Sequence, residues 1–385
     1  MFLGAKKEVK MKNKFLAYAL LIFIGSIGLI NFSFSQHSGG EEILRCEIPQ
    51  GFIYKSFYLS SSGMKGIIFL QHQPDRLYSD LSIFEVFDAD NNMLLSKVLD
   101  SGWGFRGFTP DNKLILSKGQ ADYLSEIKII DMQGKELISI PEVGSRRLVF
   151  DLYGRDLAVA AFDYDAAYLP SVVYDLASGK EKFRLGPVPL PKSNKNKEGN
   201  FYWTGTRIFL PIGKDNLFLW GIGATILLQK YDGPGYIWKI NDIGGNISEG
   251  KLLNEEYLAV SYFVPERKYK EGLAIIRWRD GQIVFRMENY IVNNKREKNL
   301  PVLSVDMLHL DENNNLFFLQ DDGRVHKFHF KKENKTWDEN LMTTHEYRLG
   351  KTIAAGKGRP QVIKGHIYYA EEEDGQVVIR RIKIN

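Results

Sequence analysis

The sequence predicts an all-β chain folded as a ring of repeated sheets, and three observations carry that prediction. A unit of apolar strand, tight polar turn and second apolar strand recurs seven times between Gly51 and Asn385, at intervals of roughly 40–60 residues. A second polar turn follows the first by about 15–20 residues in most copies, which is hairpin spacing. A spare apolar strand, Ile43-Leu44-Arg45-Cys46-Glu47-Ile48, precedes the first unit, and the last unit runs out one strand short, after Val377-Val378-Ile379-Arg380-Arg381-Ile382.

Taken in order, the first unit turns at Gly63-Met64-Lys65-Gly66 into Ile67-Ile68-Phe69 and again at Asp88-Ala89-Asp90-Asn91. The second turns at Pro110-Asp111-Asn112-Lys113 into Leu114-Ile115-Leu116, then at Asp131-Met132-Gln133-Gly134 into Leu137-Ile138-Ser139-Ile140. The third has Tyr153-Gly154-Arg155-Asp156 before Leu157-Ala158-Val159, and Asp175-Leu176-Ala177-Ser178-Gly179 after Val172-Val173-Tyr174. In the fourth, Gly213-Lys214-Asp215-Asn216 precedes Leu217-Phe218-Leu219, with Asp232-Gly233-Pro234-Gly235 downstream. The fifth has Asn254-Glu255-Glu256-Tyr257 before Leu258-Ala259-Val260, then Asp280-Gly281. Glu312-Asn313-Asn314-Asn315 opens onto Leu316-Phe317-Phe318 in the sixth, and Lys364-Gly365 onto His366-Ile367-Tyr368 in the seventh. Asp, Asn and Gly suit these places because they bond their own backbone or accept positive φ at little cost.

Four strands per unit is the natural reading, although the outer strands are faint. Such a sheet is apolar on both faces and cannot bury either alone; seven around an axis bury them between neighbours and leave only short edges. The expected fold is therefore a β-propeller of seven four-stranded blades. Residues 43–48 are expected to complete the last blade and close the ring. A sandwich or two smaller β domains fit the strand spacing as well. The length and the absence of a Pro/Ser/Gly-rich linker favour one domain over residues 36–385.

Residues 1–35 read as a secretory signal: Lys6, Lys7, Lys10, Lys12 and Lys14 form a basic front, Phe15 to Ile30 an apolar stretch, and Ser33-Phe34-Ser35 a cleavage site before Gln36. Met11 offers a second start. The apolar run is short of the roughly 20 residues that span a bilayer, so membrane attachment is expected only through an uncleaved signal segment. Secretion or a periplasmic location follows. Cys46 is the one cysteine, so no intramolecular disulfide forms, and it reads as a strand residue. The formal charge of +4 belongs to the leader: five Lys and one Glu leave with it, and 46 basic and 46 acidic residues remain. That balance argues against nucleic acid. The runs Lys192-Ser193-Asn194-Lys195-Asn196-Lys197 and Lys295-Arg296-Glu297-Lys298 read as solvated loops.

No catalytic motif emerges. Five of seven histidines lie between His309 and His366, but His326 and His329, three apart on a strand, point to opposite faces and cannot share an ion. Asp88, Asp90 and Asn92 alternate like a calcium loop, yet Met93 and Leu99 stand where that loop needs Gly and a carboxylate, so a turn is expected; Asp311 to Asn315 fails the same way. Gly-x-Ser-x-Gly is absent from the mature chain, as are dinucleotide and phosphate-loop glycine patterns. No cofactor and no metal are expected.

The phrases Phe108-Thr109-Pro110-Asp111-Asn112-Lys113-Leu114 and Val173-Tyr174-Asp175-Leu176-Ala177-Ser178-Gly179-Lys180 resemble the broad superfamily of WD40-like and YVTN-like propellers, over about residues 43–385. They specify no member family: Trp337-Asp338 lacks the matching Gly-His, Gly244-Gly245 occurs once, and Lys335-Thr336-Trp337-Asp338 lacks the residues of an aspartate box. The resemblance implies binding of partners or ligands on one rim of the disc.

The loop after the second strand of each unit should emerge opposite the two turns. Those loops are long and chemically mixed: His72–Ser79 with Arg76 and Tyr78; Gly119–Ser125 with Asp122 and Tyr123; Asp163–Pro170 with Asp163, Tyr164, Asp165 and Tyr168; and Val264–Gly272 with Glu266, Arg267, Lys268, Tyr269 and Lys270. Tyrosine and charge on rigidly held loops suit a recognition surface. The first functional expectation is thus a non-catalytic binding or scaffolding module for a protein or peptide partner. The second is a glycan-binding or glycan-hydrolysing propeller, with Asp122, Asp163 and Asp165 as acid/base candidates and Tyr123, Tyr164, Tyr168 or Trp203 stacking on sugars. A quinoprotein oxidoreductase is the third, without a Cys-x-x-Cys-His to support it. Gly186–Asn200, with Pro187, Pro189 and Pro191, reads as an exposed insertion.

Overall fold

Each repeated unit becomes a four-stranded antiparallel sheet, and seven such blades surround one axis. The computed structural model describes residues 40–384 apart from 73–80, 101, 121–122, 151–155, 162–169, 186–205, 213–214, 216, 233–234, 265–268, 293–294, 297–302, 321, 348 and 350–359. Blade 1 comprises β2 (Phe52–Leu59), β3 (Lys65–Gln71), β4 (Ser82–Phe87) and β5 (Met93–Leu99). Blade 2 comprises β6 (Trp103–Phe108), β7 (Leu114–Gln120), β8 (Tyr123–Ile130) and the first part of β9 (Glu136–Phe150). The rest of β9 opens blade 3, with β10 (Asp156–Ala161), β11 (Ser171–Asp175) and β12 (Glu181–Leu185). Blade 4 holds β13 (Thr206–Ile212), β14 (Leu217–Ile222), β15 (Thr225–Lys230) and β16 (Tyr236–Ile240). Blade 5 holds β17 (Asn246–Leu252), β18 (Tyr257–Val264), β19 (Tyr269–Arg277), β20 (Gln282–Val292) and the two-residue β21 (Lys295–Arg296). Blade 6 holds β22 (Leu308–Leu310), β23 (Leu316–Leu319), β24 (Arg324–Lys331) and β25 (Thr336–Glu346). Blade 7 takes β26 (Gln361–Ile363), β27 (His366–Glu373) and β28 (Gln376–Lys383) from the C-terminus and β1 (Glu41–Glu47) from the N-terminus.

Two details depart from the sequence reading. Strand β9 pairs with β8 up to Ser145 and with β10 from Arg146 onward, so blades 2 and 3 share one continuous strand. Lys295 and Arg296, read as loop, add a fifth strand to blade 5 by pairing with Val292 and Ile291. The expected signal segment at residues 1–35, the turn at Tyr153–Arg155 and the insertion at 186–200 lie outside the described residues.

Period-two alternation in the central strands builds the core, because successive side chains leave a strand on opposite faces. Ile67 and Phe69 pack toward blade 7, whereas Ile68 joins blade 2. Leu114 and Leu116 return to blade 1, and Ile115 faces blade 3. Leu258 and Val260 pack on blade 4, while Tyr257 and Ala259 pack on blade 6. Every neighbouring pair of blades thereby encloses its own apolar cluster.

The polar turns work by a shared five-residue geometry. In Ser60–Met64, Asp88–Asn92, Thr109–Lys113, Asp131–Lys135 and Asp311–Asn315, the first residue exchanges backbone hydrogen bonds with the fourth and fifth. The fourth residue takes a left-handed φ, and it is Gly63, Asn91, Asn112, Gly134 or Asn314; Gly and Asn tolerate that region best. The first side chain accepts the fifth residue's N–H, at 2.8 Å for Asp88, Thr109, Asp131 and Asp311 and 3.1 Å for Ser60. Asp88 and Asp311 also accept from the Asn92 and Asn315 side chains. The calcium-like alternation at Asp88 is this turn closing on itself.

Closure depends on β1. Leu44 is buried with Tyr54, Phe57, Val377 and Ile379, and the Ile48 N–H donates to the Gly375 carbonyl. Arg45 pairs with Glu42 and Glu373, and Arg380 with Glu371 and Glu373, so charge ties three strands together along the edge. These ion pairs lie at the surface, where solvent screens them; the apolar contact carries more. Leu44→Ala is expected to cost about 2–5 kcal/mol in chemical denaturation, and Arg45→Ala much less, because its ion pairs are screened by solvent. A larger loss from Arg45→Ala would reverse that ranking.

Candidate functional site

Antiparallel order puts the first-to-second and third-to-fourth turns of each blade at one end of its strands and the second-to-third connections at the other. The segments between β3 and β4, β7 and β8, β10 and β11, and β18 and β19 therefore leave and re-enter the sheets at the same face. Arg76, Tyr78, Asp122, Asp163, Tyr164, Asp165, Tyr168 and Arg267 fall in these connections and lie outside the described residues. Tyr123 and Tyr269 prove to open strands: Tyr123 pairs with Gln120 and Ser145 at the head of β8, and Tyr269 with Ile291 in β19. Their connections are shorter than the sequence suggested because the ladders persist, that of β18 and β19 running to Val264↔Lys270.

On that face, blade 5 holds a polar cluster that sequence reading missed. Tyr262 on β18 is 1% exposed, and its hydroxyl donates to Glu288 Oε1 at 2.9 Å. Lys270 Nζ sits 2.6 Å from Glu288 Oε2. Glycines make room for the ring: a Cβ on Gly272 would stand 2.0 Å from Tyr262 Cζ. Gly244, at φ +113, and Gly245 let the incoming connection lie against the same tyrosine. This is the physical use of the Gly244-Gly245 pair. Burial raises the Glu288 carboxyl, but hydrogen bonds from Lys270 and Tyr262 outweigh it and hold the group below its ordinary value. Burial, reinforced by the bond to Glu288, pushes the Tyr262 phenol up. A protonated phenol locked to a paired carboxylate shapes a rigid edge; it does not offer a nucleophile.

Blade 6 contributes a second buried network. His326 is fully buried, with Nδ1 3.1 Å from Thr344 Oγ1 and Nε2 3.1 Å from Gln320 Nε2. Arg324 Nη2 donates to Gln320 Oε1. Burial and the Arg324 charge depress the imidazole below its ordinary value, so it stays neutral. Among the described residues, no group of three or more His, Cys, Asp and Glu is arranged to hold a metal. Cys46 is half-buried in β1, and burial, with the Glu85 charge beside it, pushes its thiol up to about 12; it packs and does not react.

A third feature sits on the first strands, which contact one another between neighbouring blades (β2 with β6, β9 with β13, β13 with β17). Strands β2 and β6 each carry a bulge, at Lys55 and at Arg106. Both residues are exposed, whereas the adjoining Tyr54, Phe57, Phe105 and Gly107 are buried. A lone basic residue inside an apolar strand was the available signal.

No family model matches the chain, and no curated protein matches it. Among solved structures, it is similar to a chain in a crystal structure of the mitotic checkpoint complex. That likeness has a TM-score of 0.52 and 8% identity, covering 91% of this chain and 96% of that one. It is also similar to the WD40 β-propeller domain of Doa1, with a TM-score of 0.48 and 13% identity over 89% and 97% of the two chains. At such identities the first likeness establishes fold alone.

Two outcomes test the blade 5 cluster. Gly272→Ala overpacks Tyr262 and is expected to cost about 1–3 kcal/mol in urea unfolding, against none if the ring can move aside. Because the folded Glu288 carboxyl titrates below its unfolded value of 4.5, its stabilisation is present above about pH 4.5 and fades as pH falls through the folded value. Glu288→Gln should flatten the acid limb of the stability–pH curve, and an unchanged limb would rule out the pairing.

Proposed function

We propose that the chain is an extracytoplasmic, non-catalytic binding module that engages a protein or peptide partner on the face carrying the second-to-third-strand connections. The observation that supports this most is topological. Four tyrosine- and charge-bearing connections in blades 1, 2, 3 and 5 spring from strand ends at one face of a ring whose blades are locked by apolar clusters. Loops held by a rigid scaffold bind without a large ordering cost. The buried polar clusters of blades 5 and 6 are internally satisfied, which suits a support and not a reaction centre. One structural neighbour is part of a protein assembly, the mitotic checkpoint complex, in keeping with a protein partner. The basic front and apolar stretch of residues 6–30 support export.

The test is cross-linked capture from whole cells with the full chain tagged at its C-terminus, comparing the parent with Arg76→Ala/Tyr78→Ala and Asp163→Ala/Tyr164→Ala. The reading predicts a cell-envelope protein recovered with the parent and depleted with the loop variants, which remain folded by circular dichroism. Recovery unchanged by both variants would overturn the assigned face. A purely cytoplasmic protein would overturn the compartment. Binding to a glycan array, lost with the Asp163 variant, would replace the protein partner with a sugar.

A further inference from the structure

From a buried glutamate on the seam that closes the ring, we infer that closure is pH-sensitive. The N-terminal strand and blade 1 hold together more tightly in mild acid than at neutral pH and above, through Glu85. The inference goes beyond the partner-binding reading and does not depend on it. Ladder geometry places the residue. Glu85 on β4 pairs with Ile67 on β3, and residues paired across a ladder share a face. Ile67 belongs to the cluster that joins blade 1 to Leu44 of β1 and to Val377 and Ile379 of β28. Ile83 and Phe87, two residues to either side of Glu85, belong to it as well. Glu85 is itself buried, so it stands among apolar side chains on the one seam where the two ends of the chain meet.

Two carboxylate residues are buried among those described, Glu85 and Asp156. Asp156 accepts hydrogen bonds from Lys182 and from the Tyr231 hydroxyl. Glu85 has the hydroxyl of Ser96, its ladder partner on β5, and no cation. The charged and titratable groups of the surrounding strands are engaged elsewhere. Lys65 on β3 donates to the Asp88 and Ala89 carbonyls, and Arg381 of β28 acts on that ammonium. Lys97 on β5 is turned to blade 2, 3.8 Å from where a Cβ on Gly134 would stand. Arg45 of β1 and Arg380 of β28 pair with Glu42, Glu371 and Glu373. Glu372 of β27 acts on the Tyr54 phenol of β2. Cys46 of β1 is the group that feels the Glu85 charge.

A carboxylate taken out of water without a cation is driven toward its neutral form. Burial raises the Glu85 carboxyl above its ordinary value, and the Ser96 bond offsets only part of that. Opening the ring returns the group to water, where it ionises at its unfolded value of 4.5. Its contribution to closure is therefore fully present below about pH 4.5 and is lost as pH rises through the raised folded value. This is the reverse of Glu288, whose pairing fails in acid.

The experiment measures urea unfolding of the full chain from about pH 5 to about pH 8. At each pH it also measures the rate at which iodoacetamide alkylates Cys46, relative to the urea-unfolded chain. The parent is compared with Glu85→Gln and with Ser96→Ala. Taking ratios to the parent removes His309 and His326, whose lowered imidazoles weaken the fold in the opposite sense, as pH falls. The opening constant of the parent, divided by that of Glu85→Gln, should rise with pH by at most about tenfold per unit, because one proton is involved. Ser96→Ala removes the bond to the charged form, so its opening constant should exceed the parent's increasingly as pH rises. Cys46 should lose protection in step with urea unfolding, since β1 is part of one closed ring. A Glu85→Gln ratio that stays level overturns the inference. If Glu85→Gln does not fold, a level Ser96→Ala ratio overturns it alone. Loss of Cys46 protection with urea unfolding unchanged would reveal a loose N-terminal strand in place of a pH-sensitive ring, and overturns it too.

Discussion

A sheet that is apolar on both faces has only one way to exist in water, which is between two others. That constraint governs this molecule. In each blade, neighbouring residues of one strand belong to different cores: Phe317 and Leu319 pack toward blade 7, while Leu316 and Phe318 pack toward blade 5. The alternation that in an ordinary sheet separates core from solvent here separates one neighbour from the next. No blade can be stable by itself, and the two chain ends must meet, because an open ring would leave one face of blade 1 and one face of blade 7 in water.

The junction at blade 7 follows from that requirement. Strand β1 supplies the missing edge, and its single fully committed apolar residue, Leu44, reaches the cluster shared by Tyr54, Phe69 and Ile379. The surrounding ion pairs among Glu42, Arg45, Glu371, Glu373 and Arg380 fix register and discourage slippage more than they add stability. Function is compatible with this economy. The turns on one face are tightly self-bonded, and the second-to-third-strand connections leave from the other.

The fold was legible because its punctuation is chemical. Asp, Ser or Thr at the first turn position and Gly or Asn at the fourth are demanded by the bonds they make and the φ they adopt, so the turns can be read directly. The unbroken β9 was not legible, since Pro141 and Gly144 mimic the end of a strand. Nor was the cluster of Tyr262, Lys270 and Glu288, whose members come together only through pairing of β18, β19 and β20. Nor were the bulges at Lys55 and Arg106, because a bulge is a property of pairing and not of one strand. The loop face follows from strand order alone, whereas the individual residues chosen on it lie beyond what the described backbone reaches, apart from Tyr123 and Tyr269.

Native-state hydrogen exchange measured by mass spectrometry tests the closed ring most directly. If β1 completes the ring, amides of β28 should exchange with the same free energy as those of β3, β7 and β18, through one global opening. Exchange of β28 far ahead of those strands would show that the seventh blade opens on its own, and the account of mutual support between blades would be wrong.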